Sequence, residues 1–148
     1  MRISSGLAAV AALAACGADP RAPFVGTYAT SAVYQTTSGG RTTTLTITGT
    51  LNVTEQPDRT RIRLDDGACP FTAVVNGNSF TIDPGPNCSI QDVSPTGATC
   101  TTAISVSSGA GSRSPAAISY QLTGSERTTC NDGSASTGTE VESIIGSL

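Results

Sequence analysis

Five cysteines are the residues of this sequence with the most distinctive chemistry. Cys16 directly follows an apolar run, whereas the other four lie far apart in the chain, at Cys69, Cys88, Cys100 and Cys130. No two of these four form the close pair that structural zinc sites use, in which two to four residues separate the cysteines. An even number of widely spaced cysteines is instead typical of disulfides in an oxidising compartment. The sequence therefore predicts two disulfides and assigns a separate role to Cys16.

The first fifteen residues have the features of a secretory signal peptide. Arg2 supplies a positive charge, and residues 7–15 are all apolar. Ala14 and Ala15 are the small residues expected before a cleavage site. The apolar run is much shorter than the roughly 20 residues that span a bilayer. We predict a signal helix over residues 1–15 that is removed from the mature protein.

The residues around the first cysteine resemble a known targeting motif. Leu13-Ala14-Ala15-Cys16 is similar to the lipobox of bacterial lipoproteins. This resemblance implies that Cys16 is acylated on sulfur, for example by palmitate, and becomes the new amino terminus. Gly17 stands where an aspartate would favour retention in the inner membrane, so the resemblance implies an outer-membrane lipoprotein. The alternative is an ordinary signal peptide cut nearby, which leaves Cys16 as an odd thiol.

Composition excludes several classes of function. The chain has no histidine and no lysine, and its formal net charge is −3. Ser-His-Asp and Cys-His nucleophile systems need histidine, and general nucleic-acid binding needs basic patches. We therefore expect no enzyme, no cofactor, no metal site and no nucleic-acid partner. An enzyme would have to use tyrosine and carboxylates for proton transfer, and the candidate acids are Asp58, Asp65, Asp66, Asp83 and Glu126.

The mature chain is patterned as β-strands. Over residues 44–53, Leu45, Ile47, Leu51 and Val53 alternate with polar residues, as in a strand with one buried face. Gly49 falls on the buried face, where a glycine often marks a bend or bulge. A second strand is predicted over residues 59–64, with Thr60, Ile62 and Leu64 facing inward.

Further segments extend this pattern. Asn76-Gly77 predicts a type I′ hairpin turn. Residues 84–98 are predicted to be the longest irregular stretch, residues 107–115 a flexible loop, and Gly124 a short turn. Strands are predicted over residues 71–75, 79–83, 100–106, 118–122 and 126–130, and a last strand or short helix over residues 139–145.

About eight short strands joined mostly by tight turns indicate one all-β domain, residues 24–148, preceded by a lipidated amino terminus and short linker, residues 16–23. Strands paired in chain order form an antiparallel meander, which must close or be covered to protect its edges. Gly26-Thr27-Tyr28 is similar to the Gly-x-Trp that opens the first strand of lipocalins, and the layout resembles lipocalin-like bacterial lipoproteins. This resemblance implies a small barrel or half-barrel; a β-sandwich is the alternative.

Four cysteines allow three disulfide connectivities. We favour Cys69–Cys88, which would tie the hairpin to the loop that follows it, with Cys100–Cys130 across the last strands. The alternative pairs Cys88 with Cys100 and Cys69 with Cys130.

Two groups of side chains are candidate binding residues. Arg59, Arg61 and Arg63 alternate along one predicted strand and would contact anionic groups or simply cover a solvated face. If a barrel closes around a cavity, inward aromatic side chains would line it; otherwise they fill the core. The aromatic candidates are Tyr28, Tyr34, Phe71, Phe80 and Tyr120.

These observations lead to one functional hypothesis and one alternative. The hypothesis is a lipid-anchored, cell-envelope binding or interaction module whose partner is a small apolar ligand or an envelope protein. The alternative is a structural or scaffolding lipoprotein of the envelope that binds no ligand.

Overall fold

The computed structural model describes residues 18–95 and 97–148, and it describes residues 86 and 87 by their backbone alone. The predicted signal helix and Cys16 lie outside the described residues. In the part of the chain that is described, no helix has the length and apolar character needed to cross a membrane. The strands are β1 (Gly26–Ser38), β2 (Arg41–Glu55), β3 (Arg61–Asp65), β4 (Phe71–Asn76), β5 (Ser79–Ile82), β6 (Gly85–Val93), β7 (Thr99–Ser114), β8 (Ala117–Cys130) and β9 (Ala135–Ser147).

The strands form one antiparallel sheet that closes on itself. Their order is β5-β4-β3-β2-β1-β9-β8-β7-β6, and β5 also pairs with β7. The second half of β7 pairs with β5, between Gly109 and Ser112, whereas its first half pairs with β6. The predicted all-β meander with a barrel-like arrangement is confirmed, and the alternative of a β-sandwich is wrong.

One side of this barrel is open. In the described chain, β3 pairs with β2 only from Asn52 to Glu55, so the first part of β2 pairs with β1 alone. Strand β6 likewise pairs only with β7 in the described residues. The free edges of β2 and β6 therefore leave an opening in the wall of the barrel.

Three segments predicted to be irregular are strands. Residues 84–98 contain β6, residues 107–115 lie mostly in β7, and Gly124 lies inside β8 rather than in a turn. These segments are rich in serine, threonine and glycine, and their pairing to long neighbouring strands supplies the order that their own patterning lacks. The last segment, predicted as a strand or helix, is the strand β9.

The start of β3 also differs from the prediction. The strand begins at Arg61, and Thr60 is exposed instead of facing inward. The Asp58 carboxylate accepts hydrogen bonds from the backbone N–H and the hydroxyl of Thr60, both at 2.9 Å. This local turn chemistry competes with the strand.

The β4–β5 hairpin is confirmed, but its turn type is not. Asn76 pairs with Ser79, so the two loop residues are Gly77 and Asn78. Of these only Gly77 has a positive φ, 60°, which is the type II′ pattern rather than the predicted type I′.

The core lies at the end of the barrel where β1 begins. Phe24, Tyr28 and Phe80 are almost completely buried. The rings of Phe24 and Phe80 meet edge to face at 5.8 Å, and those of Phe80 and Tyr120 at 6.3 Å. Such pairs add about 0.5–1.5 kcal/mol to the burial of the rings.

Gly111 allows this aromatic cluster to form across β7. It pairs with Phe80 on one side and with Tyr120 on the other. A Cβ atom at Gly111 would contact the Phe80 ring and would lie 2.6 Å from the Tyr120 Cβ. The barrel therefore closes around a position that has no room for a side chain.

Replacing this glycine tests how tightly the barrel closes. We expect Gly111→Val to destabilise the fold by about 1–3 kcal/mol in urea unfolding, because overpacking outweighs the higher strand propensity of valine. The control is Gly49→Val. The β1–β2 register runs through Gly49 without the predicted bulge, and the nearest atom to a Cβ there is 3.8 Å away. Equal stability of the two variants would contradict this account of closure.

Candidate functional site

A cleft of about 330 Å³ opens into the barrel between the free edges of β2 and β6. This volume lies near the lower end of the roughly 300–1,000 Å³ range of small-molecule pockets. At its mouth the side chains of Leu45, Ile47 and Ile90 are 55%, 46% and 37% exposed. The larger apolar side chains of the lining are Leu45, Ile47, Phe71, Ile90, Ile104 and Leu122.

Two carboxyl groups line the interior of this cleft. Glu140 and Glu142 lie on β9 and are only 6% and 3% exposed. Both share the inward face of β9 with Ile144, because side chains two residues apart point to the same face. One oxygen of each, Oε2 of Glu140 and Oε1 of Glu142, is buried with no hydrogen-bond partner in the structure. Buried polar atoms of this kind are uncommon and call for an explanation.

The surroundings of these two groups favour their neutral forms. Burial, reinforced by the charge of Asp66, raises the pKa of Glu142 to about 8, although a hydrogen bond from Tyr34 lowers it in part. Burial also raises the pKa of Glu140, with a further contribution from the charge of Glu126. Glu142 is therefore mostly protonated at pH 7 in this structure.

Tyr34 and Asp66 complete the polar part of the cleft. Tyr34 lies opposite Glu142 in the β1–β9 register, and burial together with the Glu142 charge raises the pKa of Tyr34, so its hydroxyl remains a donor. One oxygen of Asp66 accepts hydrogen bonds from the backbone N–H groups of Ala68 and Cys69, both at 2.9 Å. Asp66 therefore shapes the segment between β3 and β4 while its charge faces the cleft.

A disulfide holds the rim of the cleft. Cys69–Cys88 joins the segment between β3 and β4 to β6, and Cys69 itself lines the cleft. Cys100–Cys130 links directly paired residues of β7 and β8. The favoured disulfide connectivity is thus confirmed.

The five aromatic candidates occupy two different places. Tyr34 and Phe71 line the cleft. Tyr28, Phe80 and Tyr120 belong to the core at 0%, 2% and 4% exposure. The Tyr28 hydroxyl donates a hydrogen bond of 2.8 Å to the carbonyl of Phe24, whereas the buried Tyr120 hydroxyl has no partner in the structure.

The three candidate arginines lie in different surroundings. Arg59 lies in the turn before β3, outside the strand on which it was predicted. Arg61 pairs with Asp58 at 3.6 Å and with Asp83. Arg63 pairs with Asp65 at 3.1 Å. The carboxylates beside Arg61 and Arg63 offset the charge that an anionic ligand would need.

Sequence reasoning missed Glu140 and Glu142 because the pattern of β9 is ambiguous. Val141 and Ile145 lie on one face of the strand, and Ile144 lies on the other face together with the two glutamates. Both faces therefore carry apolar residues. Only the pairing of β9 between β1 and β8 shows which face points inward.

Within the residues that the structure describes, no group of three or more cysteine, aspartate or glutamate side chains is arranged to hold a metal ion.

No protein-family model matches this sequence, and a search of curated proteins finds no significant match.

Proposed function

We propose that this protein is a lipid-anchored binding module of the bacterial cell envelope that holds a small apolar ligand in the cleft between β2 and β6. The observation that carries the proposal is the cleft itself, which is lined mainly by apolar side chains and has convergent polar groups on one wall. This combination is typical of small-molecule sites.

The exposed rim gives the proposal an energetic basis. Leu45 and Ile47 on β2 and Ile90 on β6 present apolar surface on both sides of the opening. Each methylene group of a ligand that is buried here contributes about 0.8 kcal/mol. A short hydrocarbon chain is therefore enough for measurable binding.

The proposed anchor places the protein close to a membrane with the cleft away from it. Arg21 is buried and pairs with Asp19 at 2.6 Å and with Glu55 at 3.3 Å, which packs the segment before β1 onto the end of β2. Cys16 precedes Asp19 by three residues, which span at most about 11 Å. Tyr34, in the cleft, lies eight residues along β1 from Gly26, or roughly 27 Å at about 3.4 Å per residue.

Binding of an uncharged apolar probe tests this proposal. N-phenyl-1-naphthylamine is expected to bind the mature protein carrying Cys16→Ser and to gain fluorescence. Leu45→Asn should weaken binding roughly tenfold, because losing one apolar contact costs about 1–2 kcal/mol. Leu45 is 55% exposed, so the fold tolerates the change.

Val93→Asn is the matched control. Val93 lies on β6 at 62% exposure and does not line the cleft. Its variant should bind the probe like the parent protein. Absence of probe binding to the parent, or equal loss in both variants, would contradict the proposal and favour the scaffolding alternative.

A further inference from the structure

We infer that the ligand of the cleft is an apolar molecule with a positively charged amine head group, which Glu142 and Glu140 bind. This inference rests on the proposed function and names the class of ligand that the site takes. It is carried by two buried carboxyl groups, each with one oxygen that has no hydrogen-bond partner, in a cleft lined mainly by apolar side chains.

The unpartnered oxygens define what a ligand must supply. Oε2 of Glu140 and Oε1 of Glu142 are buried without a hydrogen-bond donor, and a buried polar group in this state is destabilising. An ammonium group has three N–H donors and a positive charge. Hydrogen bonds from such a donor to an ionised carboxylate are stronger than those between neutral groups.

The charges around Glu142 all have the sign that attracts a cation. Glu140 is on the same strand, Asp66 faces the cleft from the segment between β3 and β4, and Glu126 acts on Glu140 from β8. Tyr34 on β1 and the buried Tyr120 on β8 contribute neutral hydroxyls. Among the described residues that line the cleft, none is an arginine, so these residues provide no counter-ion for the carboxylates.

The same geometry disfavours a metal ion. Hard cations require several oxygen ligands around one point, and the described residues contain no such cluster. Asp66 already uses one oxygen for two backbone N–H groups. The apolar walls suit a hydrocarbon chain, which a bare cation does not have.

Binding of an ammonium ion is coupled to loss of a proton. Because the pKa of Glu142 is about 8, its carboxyl group must release its proton to solvent to form the ion pair, while the amine keeps its own. The apparent affinity then scales with the ionised fraction of Glu142. It should rise about 10- to 100-fold between pH 6 and pH 9, a range in which a primary amine with a pKa near 10 stays charged.

Competition against N-phenyl-1-naphthylamine with three octyl compounds tests the inference. At pH 9, octylammonium should displace the probe at a concentration at least tenfold lower than octanol does, and octanoate should be the weakest. The advantage of octylammonium over octanol should shrink as the pH falls to 6, because octanol is uncharged throughout.

Matched variants assign the effect to the cleft. Glu142→Gln should abolish most of the octylammonium advantage and its pH dependence while octanol binding is kept. Asp92→Asn removes the same charge from an exposed position on β6 outside the cleft and should change neither.

The outcomes separate the two proposals. If octanol and octylammonium bind equally at pH 9, or if Glu142→Gln leaves the difference intact, the amine inference is wrong and the apolar site stands. If the probe binds but none of the octyl compounds displaces it, the amine inference is wrong. If the probe itself does not bind the parent protein, the proposed function is wrong.

Discussion

At pH 9 the Glu142→Gln variant is expected to be more stable than the parent protein by several kcal/mol. The reason is the cost of an ionised carboxylate at a site that is 3% exposed and lacks a partner for one oxygen. Glutamine is neutral at every pH and has nearly the shape of the protonated glutamate. Glu142 is thus expected to lower the stability of the folded protein at pH 9, although it is the residue proposed to bind the ligand.

The pH dependence of this effect follows from linkage. The pKa of Glu142 is about 8 in the folded protein, against an ordinary value of 4.5. Between these values the folded state holds a proton that the unfolded state has released, so the parent protein loses stability as the pH rises from 4.5 to 8. Each pKa unit corresponds to about 1.4 kcal/mol, which places the full loss at roughly 5 kcal/mol.

Urea unfolding at pH 5, 7 and 9 with the disulfides intact measures this loss. The variant and the parent should have similar stabilities at pH 5, and their stabilities should diverge as the pH rises. The variant should still lose a smaller amount of stability over this range, because the pKa of Glu140 is also raised. Asp92→Asn should follow the parent at each pH. Parallel curves for Glu142→Gln and the parent would show that Glu142 is ionised in the folded protein at neutral pH, contrary to this account.

Removing the Cys69–Cys88 bridge by a double replacement with alanine is expected to cost about 3 kcal/mol. The two cysteines are 19 residues apart, and closing a loop of that size restricts the unfolded chain by approximately that free energy. The bridge also holds the segment that contains Asp66 against β6. We therefore expect the affinity for N-phenyl-1-naphthylamine to fall at least tenfold, even under conditions where the variant remains folded.

The second bridge provides the control for this prediction. Cys100 and Cys130 are 30 residues apart, so their double replacement with alanine should cost a similar free energy of unfolding. These cysteines do not line the cleft, and probe binding should therefore survive. If both double variants lose stability but bind the probe equally well, the Cys69–Cys88 bridge does not shape the site.

Local patterning was sufficient to predict most of the first half of the fold. Leu51 and Val53 alternate with polar residues, and Ile62 and Leu64 do the same on the next strand; these four are buried as expected. Leu45 and Ile47 were predicted on the same buried face and are instead 55% and 46% exposed, because β3 pairs only with the last part of β2. The Asn76-Gly77 signal located the β4–β5 hairpin, although the positive φ at Gly77 alone makes a different turn. The spacing of the cysteines relative to these strands led to the disulfide connectivity that the structure has.

The second half of the fold depends on interactions that a local pattern does not contain. Residues 107–114 are rich in serine and glycine, yet residues 109–112 are held between β5 and β8. Gly111 is required there by the close approach of Phe80, which lies far from it in the sequence, and of Tyr120 on the next strand. Hydrophobic periodicity cannot detect a strand whose order comes from its neighbours.

The candidate site was only partly predictable for the same reason. Tyr34 and Phe71 were identified as aromatic residues that could face a cavity, and both line the cleft. Glu140 and Glu142 were missed because both faces of β9 carry apolar side chains. Their inward orientation, and with it the chemistry proposed for the cleft, follows from the pairing of β9 with β1 and β8.

Proton release on ligand binding is the most direct test of the cleft as a site for an apolar cation. Titration calorimetry with octylammonium at pH 6.5, in two buffers of different ionisation enthalpy, counts the protons exchanged. About one proton should be released for each octylammonium bound to the parent protein, and about none with Glu142→Gln. Binding to the parent without proton release would contradict the role assigned to Glu142.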